Sequence, residues 1–268
     1  MTEREDLLAR SSEQPVPSGE GGDRILQLLK VMARLRAPGG CPWDAEQTHS
    51  SLAKHLLEET HEVLDAIDSD DPERLRDELG DLLLQVVFHA EMAREAGKFD
   101  MDDIARGTVE KLVRRHPHVF GDVEVGSSEE VLVNWERIKE GEKGPSGVDE
   151  DIPRTLPALA RASKVLRRAA GWGFEWRTKE AAIDKLREEV EELAVASPDE
   201  AEDELGDVLF AAAAVARRLG VDPESALRRT TNRFSIRYAS MTARAKDEGV
   251  ALESLSEEQL LEFFRDSR

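Results

Sequence analysis

The sequence predicts an all-α protein made of two copies of one helical unit, and three observations predict it. After residue 22, apolar residues recur at three- and four-residue spacing through nearly the whole chain, the period of amphipathic helices. No run of alternating β-branched residues bounded by turns appears, so no sheet is needed. The second half then restates the first, from its tryptophan to its acidic motifs.

In chain order, residues 1–22 are polar, carry Pro and Gly and show no sustained period, so a disordered lead-in is expected there. Ile25, Leu28, Leu29, Met32 and Leu35 then mark a helix that ends before Pro38. Helical patterns follow at about 50–68, 72–96 and 101–115. The second of these has a wide apolar stripe through Leu75, Leu79, Leu82, Leu83, Val86, Val87 and Ala90. Pro117 should end the helix before it, and Ser127-Ser128-Glu129-Glu130 reads as the next start. Residues 141–153, with three Gly, two Pro and no apolar rhythm, are the expected linker between a unit at 23–140 and one at 154–268. Helical patterns resume at about 156–170, 178–196, 199–219 and 223–246, with a tail helix from about Ser256.

Composition narrows the function. The 268 residues hold 57 Asp plus Glu against 37 Lys plus Arg, a net charge of −20, which argues against nucleic-acid binding because such affinity rests on cationic side chains displacing counterions from phosphates. The single cysteine, Cys41, excludes a disulfide framework and fits a reducing compartment. No apolar run approaches a membrane span, and the first residues, MTEREDLLAR, lack the apolar core of a signal peptide, so the expected location is the cytoplasm, with no membrane partner.

The repeat carries the chemistry. Trp43 is followed 15 residues later by Glu58-Glu59-Thr60-His61-Glu62 and then by Glu78-Leu79-Gly80-Asp81. Trp176 is followed 12 residues later by Glu188-Glu189-Val190-Glu191-Glu192 and then by Glu204-Leu205-Gly206-Asp207. Residues three or four apart share a helix face, so Glu59 with Glu62 and Glu78 with Asp81 should converge if a short loop folds one helix back on the other; Glu189, Glu192, Glu204 and Asp207 should do the same. Such a cluster repels itself unless a cation compensates it, and oxygen donors without His or Cys select Mg²⁺, Mn²⁺ or Ca²⁺. Acidic helices produce such spacings by accident, but a second copy of the whole arrangement makes accident a poor account. His61 is expected on a helix surface, Cys41 as a small packed residue, and Trp43, Trp172 and Trp176 in packing at the start of each unit. No P-loop motif occurs.

These residues resemble the MazG nucleoside triphosphate pyrophosphohydrolases in their two-domain form. The likeness spans about residues 25–246 and rests on GCPWDAEQTHSSL at 40–52, EETHEVLDAI at 58–67, ELGDLLLQVVFHA at 78–90 and KLVRRHPHVFGD at 111–122. In the second half it rests on GWGFEW at 171–176, KLREEVEEL at 185–193, ELGDVLF at 204–210 and NRFSIRY at 232–238. The resemblance implies a tandem of two helical-bundle domains, a homodimer, Mg²⁺ dependence with Mn²⁺ as a substitute, and hydrolysis of nucleoside triphosphates to monophosphate and pyrophosphate. By the same resemblance Glu189, Glu192, Glu204 and Asp207 are the metal ligands of the second domain, and Glu59, Glu62, Glu78 and Asp81 those of the first. Glu188, with Glu58 as its counterpart, is the candidate for holding or deprotonating the attacking water. Lys185, Arg233 and Arg237 match positions that contact the triphosphate; Lys111 and Arg115 are the first-domain cations, with His55 standing where the second domain has Lys185. The family tends to carry a tryptophan near the carboxyl end, where this chain has Phe263 and Phe264. Two alternatives stand beside this reading: a narrow pyrophosphohydrolase of the dUTP or phosphoribosyl-ATP type, and a helical dimerisation or regulatory protein with silent nucleotide sites.

Overall fold

The computed structural model describes residues 21–143, 147–150 and 152–267. Among them there are helices and turns and no strand. The chain divides into two compact units, the first running to residue 145 and the second from residue 146. Of the expected lead-in, residues 1–20 lie outside the described residues, while Gly21 and Gly22 open the first helix. Among the described residues no helix is long and apolar enough to cross a membrane.

The first unit comprises α1 (Gly21–Arg36), α2 (Pro42–Glu46), α3 (Ala53–Asp68), α4 (Pro72–Glu95), α5 (Met101–Arg115), α6 (Pro117–Phe120) and α7 (Ser128–Lys143). The periodic stretches became these helices because their ends are chemically marked. Asp71 caps α4 by accepting from the backbone N–H groups of Glu73 and Arg74, with Pro72 in the first turn, and Asp100 and Asp103 form a reciprocal capping box on α5. Pro117 ends α5 as expected and starts the short α6. The core joins α1 and α4 through Met32, Val87, Phe88 and Met92, with Leu52 added from the turn before α3. Arg36 is nearly buried: it donates to Glu95 at 3.0 and 2.8 Å, lies 5.5 Å from the centre of the Phe88 ring and also reaches the Gln47 carbonyl. One guanidinium thereby ties α1, α4 and the segment before α3 together.

The second unit comprises α8 (Ala158–Gly171), α9 (Lys179–Val195), α10 (Ala201–Arg218), α11 (Pro223–Glu248), a 3₁₀ turn at Leu252–Ser254 and α12 (Glu257–Asp266). Its core is small: Leu166, Ala213 and Ala214 are buried, with Ala162 and Trp176 against them. Gly249 ends α11 in the left-handed conformation (φ 66°) that a helix C-terminus favours.

Helix α7 runs on to Lys143, inside the stretch whose Gly and Pro mark it as linker. Glu142 explains the extension. Its carboxylate accepts from Arg114 and Arg115 of α5, each at 2.6 Å, and Arg115 also stacks 5.0 Å over the Trp135 ring. These two arginines, Arg115 foremost, hold the Glu142 carboxyl down at about 2. Its contribution to stability is therefore present above the ordinary 4.5 and lost as pH falls toward 2. Glu142→Gln is expected to cost about 1 kcal/mol at neutral pH, modest because one arginine is solvated, and to remove that part of the acid sensitivity. Urea melts of both proteins at pH 7 and pH 3 check it.

Candidate active site

Two hairpins hold the acidic motifs. In the first unit α3 folds back onto α4 across residues 69–71; in the second α9 folds back onto α10 across residues 196–200. Helix geometry then does what the spacing anticipates. Carboxylate oxygens of Glu59, Glu78 and Asp81 all lie within 4.8 Å of one another, and those of Glu189, Glu204 and Asp207 form the same triad. Shelter falls toward the aspartates: Glu189 is buried and Glu59, Glu78 and Glu204 half-buried, whereas Asp81 and Asp207 are exposed.

Glu62 and Glu192 stand beside the triads, hydrogen-bonded to Glu59 and Glu189. A hydrogen bond between two carboxyls needs a proton, and the electrostatics agree. Burial raises Glu59 above its ordinary value, and the bond to Glu62 and the charges of Asp81, Glu62 and Glu78 push the same way. In the second site Lys185 divides the pair. Its ammonium lies 2.8 Å from both Glu188 and Glu189, which holds Glu189 below its ordinary value, while the hydrogen bond that the Glu192 carboxyl donates to Glu189 is the main cause that raises Glu192.

The outer acids Glu58 and Glu188 are exposed at the rim. Each meets the residue three positions before it: His55 Nδ1 is 3.0 Å from Glu58, and Lys185 is 2.8 Å from Glu188. Of the five cations singled out by sequence, Lys185 is the one seated on the carboxylates. Lys111 is exposed on α5, and Arg115 is engaged by Glu142 and Trp135. Arg233 donates to Thr230 at 2.9 Å. Arg237 donates to the carbonyls of Arg265 and Ser267 and lies 5.0 Å over the Phe264 ring. Arg233, Arg237, Phe234 and Phe264 line a groove of about 530 Å³, so Phe264 does reach an arginine of interest; none of the clustered carboxylates is part of its lining.

Two expectations need correction. Trp176 packs into the core, but Trp43 and Trp172 are 55% and 57% exposed. Trp43 instead meets His55 edge-on at 6.4 Å, because the short α2 that carries it has no buried residue of its own. Sequence reasoning also passed over Arg74, whose Nε lies 3.3 Å from Glu78. Its position four residues before Glu78 was the available signal. His61 is exposed, as a helix-surface residue should be.

Comparison with known proteins bears on this geometry directly. Residues 47–120, which include the whole first triad, match the model of the MazG nucleotide pyrophosphohydrolase domain. Residues 165–234, which include the second triad, match that of phosphoribosyl-ATP pyrophosphohydrolase. The chain is 46% identical over 250 residues to a nucleoside triphosphate pyrophosphohydrolase of Escherichia coli (strain K12), covering 88% of this chain and 95% of that protein. It is 42% identical over 252 residues to the nucleoside triphosphate pyrophosphohydrolase/pyrophosphatase MazG of Thermotoga maritima, covering 93% and 97%. The chain belongs to the MazG family. A relative from Mycobacterium tuberculosis, also named a nucleoside triphosphate pyrophosphohydrolase, is 44% identical over 160 residues. Membership makes this MazG chain a pyrophosphohydrolase in place of a helical scaffold, in the tandem all-α form that the repeat anticipates.

Proposed function

We propose that the chain hydrolyses nucleoside triphosphates to monophosphate and pyrophosphate at its carboxylate triads, using Mg²⁺ or, in its place, Mn²⁺, as a cytoplasmic homodimer that clears surplus or damaged nucleotides. The observation that carries this reading is the duplicated triad of oxygen donors within 4.8 Å. All three donors are carboxylates and none is His or Cys, a set that suits a hard divalent cation. Glu189, Glu204 and Asp207, with Glu192 beside them, would hold the ion; Glu59, Glu78 and Asp81, with Glu62, are their first-domain equivalents. When bound, a divalent ion lowers the pKa of a coordinated water and stabilises charge on a leaving pyrophosphate.

The chain's own residues supply the rest. Glu188 and Glu58, exposed at the rim, would orient the attacking water and take its proton. Lys185 neutralises Glu188 and Glu189 in the metal-free protein and is free to turn to a phosphate oxygen once a divalent ion does that work. Arg233 and Arg237, one helical turn apart, would meet the β and γ phosphates, and Lys111 and Arg115 are their first-domain counterparts. Incubating pure protein with each dNTP and Mg²⁺ and resolving the products tests the reaction: pyrophosphate with a monophosphate is expected, and orthophosphate with a diphosphate would overturn it.

The match of residues 165–234 to phosphoribosyl-ATP pyrophosphohydrolase favours one second reading, a narrow substrate range in the second domain. A substrate panel that returned one strong preference would establish it. A homodimer is supported by apolar residues left in the open along both hairpins, Leu57 and Leu79 on one and Val190, Leu205 and Leu209 on the other. Leu205→Glu with Leu209→Glu is expected to halve the mass measured by sedimentation.

A further inference from the structure

Each hairpin carries one cation paired to a triad carboxylate, and the two repeats supply it from opposite helices. In the second site it is Lys185 of α9, four residues before Glu189 and 2.8 Å from it. In the first it is Arg74 of α4, four residues before Glu78 and 3.3 Å from it. The residue that stands where Lys185 would, His55, meets Glu58 and the Trp43 ring and is paired with none of the triad carboxylates. The residue that stands where Arg74 would, Glu200, is spent on Ser197, accepting from its backbone N–H at 3.1 Å and its hydroxyl at 2.7 Å.

We propose that Arg74 is the phosphate-positioning residue of the first site, taking from α4 the part that Lys185 takes from α9. This rests on the reading of the first triad as a working nucleotide site. Helix lengths explain the exchange. Helix α4 begins six residues before Glu78, so the position four before it is already helical and faces the triad. Helix α10 begins three residues before Glu204, so the matching position, Glu200, stands just before the helix and is bonded to Ser197 of the turn. The second repeat had no helical place for such a cation on α10, and α9 provides it.

Helix stability gives no reason for Arg74. It lies in the first turn of α4, where its own N–H is capped by Asp71, and the positive end of a helix dipole disfavours a cation there. As a surface ion pair it contributes little. Its exposure is what a ligand needs: the arginine side chain is 43% exposed while Glu78, which anchors it, is 18%. Only Nε is committed to Glu78, which leaves the terminal nitrogens of a planar fork to face a phosphate at the mouth of the triad.

The test uses the full chain with its second site silenced by Asp207→Asn. Binding of Mg²⁺ with an α,β-methylene ATP analogue is read by calorimetry, and binding of Mn²⁺ alone by electron paramagnetic resonance. Arg74→Gln is expected to weaken the analogue about tenfold while leaving Mn²⁺ as tight or tighter, Arg74→Lys to keep most of the affinity, and adding His55→Lys to Arg74→Gln to restore it from the opposite helix. Circular dichroism establishes that each variant is folded, and the rescue separates positioning from a structural role. Unchanged analogue binding in Arg74→Gln, or no rescue by His55→Lys, would overturn the proposal alone. No analogue binding to the Asp207→Asn chain would overturn both the proposal and the first-site reading.

Discussion

Replacing Asp207 with Asn is expected to lower pyrophosphate release from the second site by roughly two to three orders of magnitude, the several kcal/mol that a bound divalent ion supplies to phosphoryl chemistry. The substitution is conservative in shape and removes one charge from a triad whose oxygens lie within 4.8 Å. Asp207 is exposed, so the variant should fold. Asp81→Asn is the matched experiment in the first site. Comparing the two single variants with the double gives each triad's share of turnover, and a double variant with full activity would remove both triads from the reaction.

Divalent metal is expected to raise the melting temperature substantially, because each triad concentrates like charge that the metal-free chain must tolerate. At a hundredfold excess over its dissociation constant an ion adds about 2.7 kcal/mol per site, worth roughly 5–10 °C in a protein of this size. Calorimetric scans in EDTA and in Mg²⁺ measure it, and Asp81→Asn and Asp207→Asn should each remove the gain of their own unit. The gain should grow with pH. Glu59 and Glu192 have raised values in the metal-free fold, so their protonated forms favour that fold below the ordinary 4.5, and this contribution is lost as pH rises through the raised values. An incoming ion must also displace those protons, so acidification weakens it.

What the sequence disclosed and what it hid divide along physical lines. Helices whose ends carry Pro, Asp or Ser were legible almost to the residue, α5 at Met101–Arg115 among them, because caps and apolar period agree. The triads were legible because three- and four-residue spacing fixes a face and a short loop fixes the neighbour. Glu62 and Glu192 satisfy the same spacing, yet they pair with Glu59 and Glu189 and stand outside the three-way convergence, a choice of rotamer that spacing does not encode. The arginines were recognisable as a cationic face, but two of them are engaged by groups 27 or more residues away, Arg115 by Glu142 and Arg237 by the carbonyls near the end of α12. Such pairings depend on how helices dock. The exposure of Trp43 and Trp172 was hidden for the opposite reason: a large aromatic invites a packing assignment, and only the brevity of α2 and of the turn after α8 denies each a buried seat.

The alanines of α10 have a consequence of their own. Where α4 fills its core with Val87 and Phe88, the matching positions on α10 are Ala213 and Ala214, both buried, and Ala211 is buried one turn beyond Asp207. A side chain that ends at Cβ has no rotamer to change, so a helix seated through alanines can neither swell nor yield without moving its backbone. Seated in this way against Leu166, Ala162 and Trp176, α10 is a stiff post for the two carboxylates near its other end, Glu204 and Asp207.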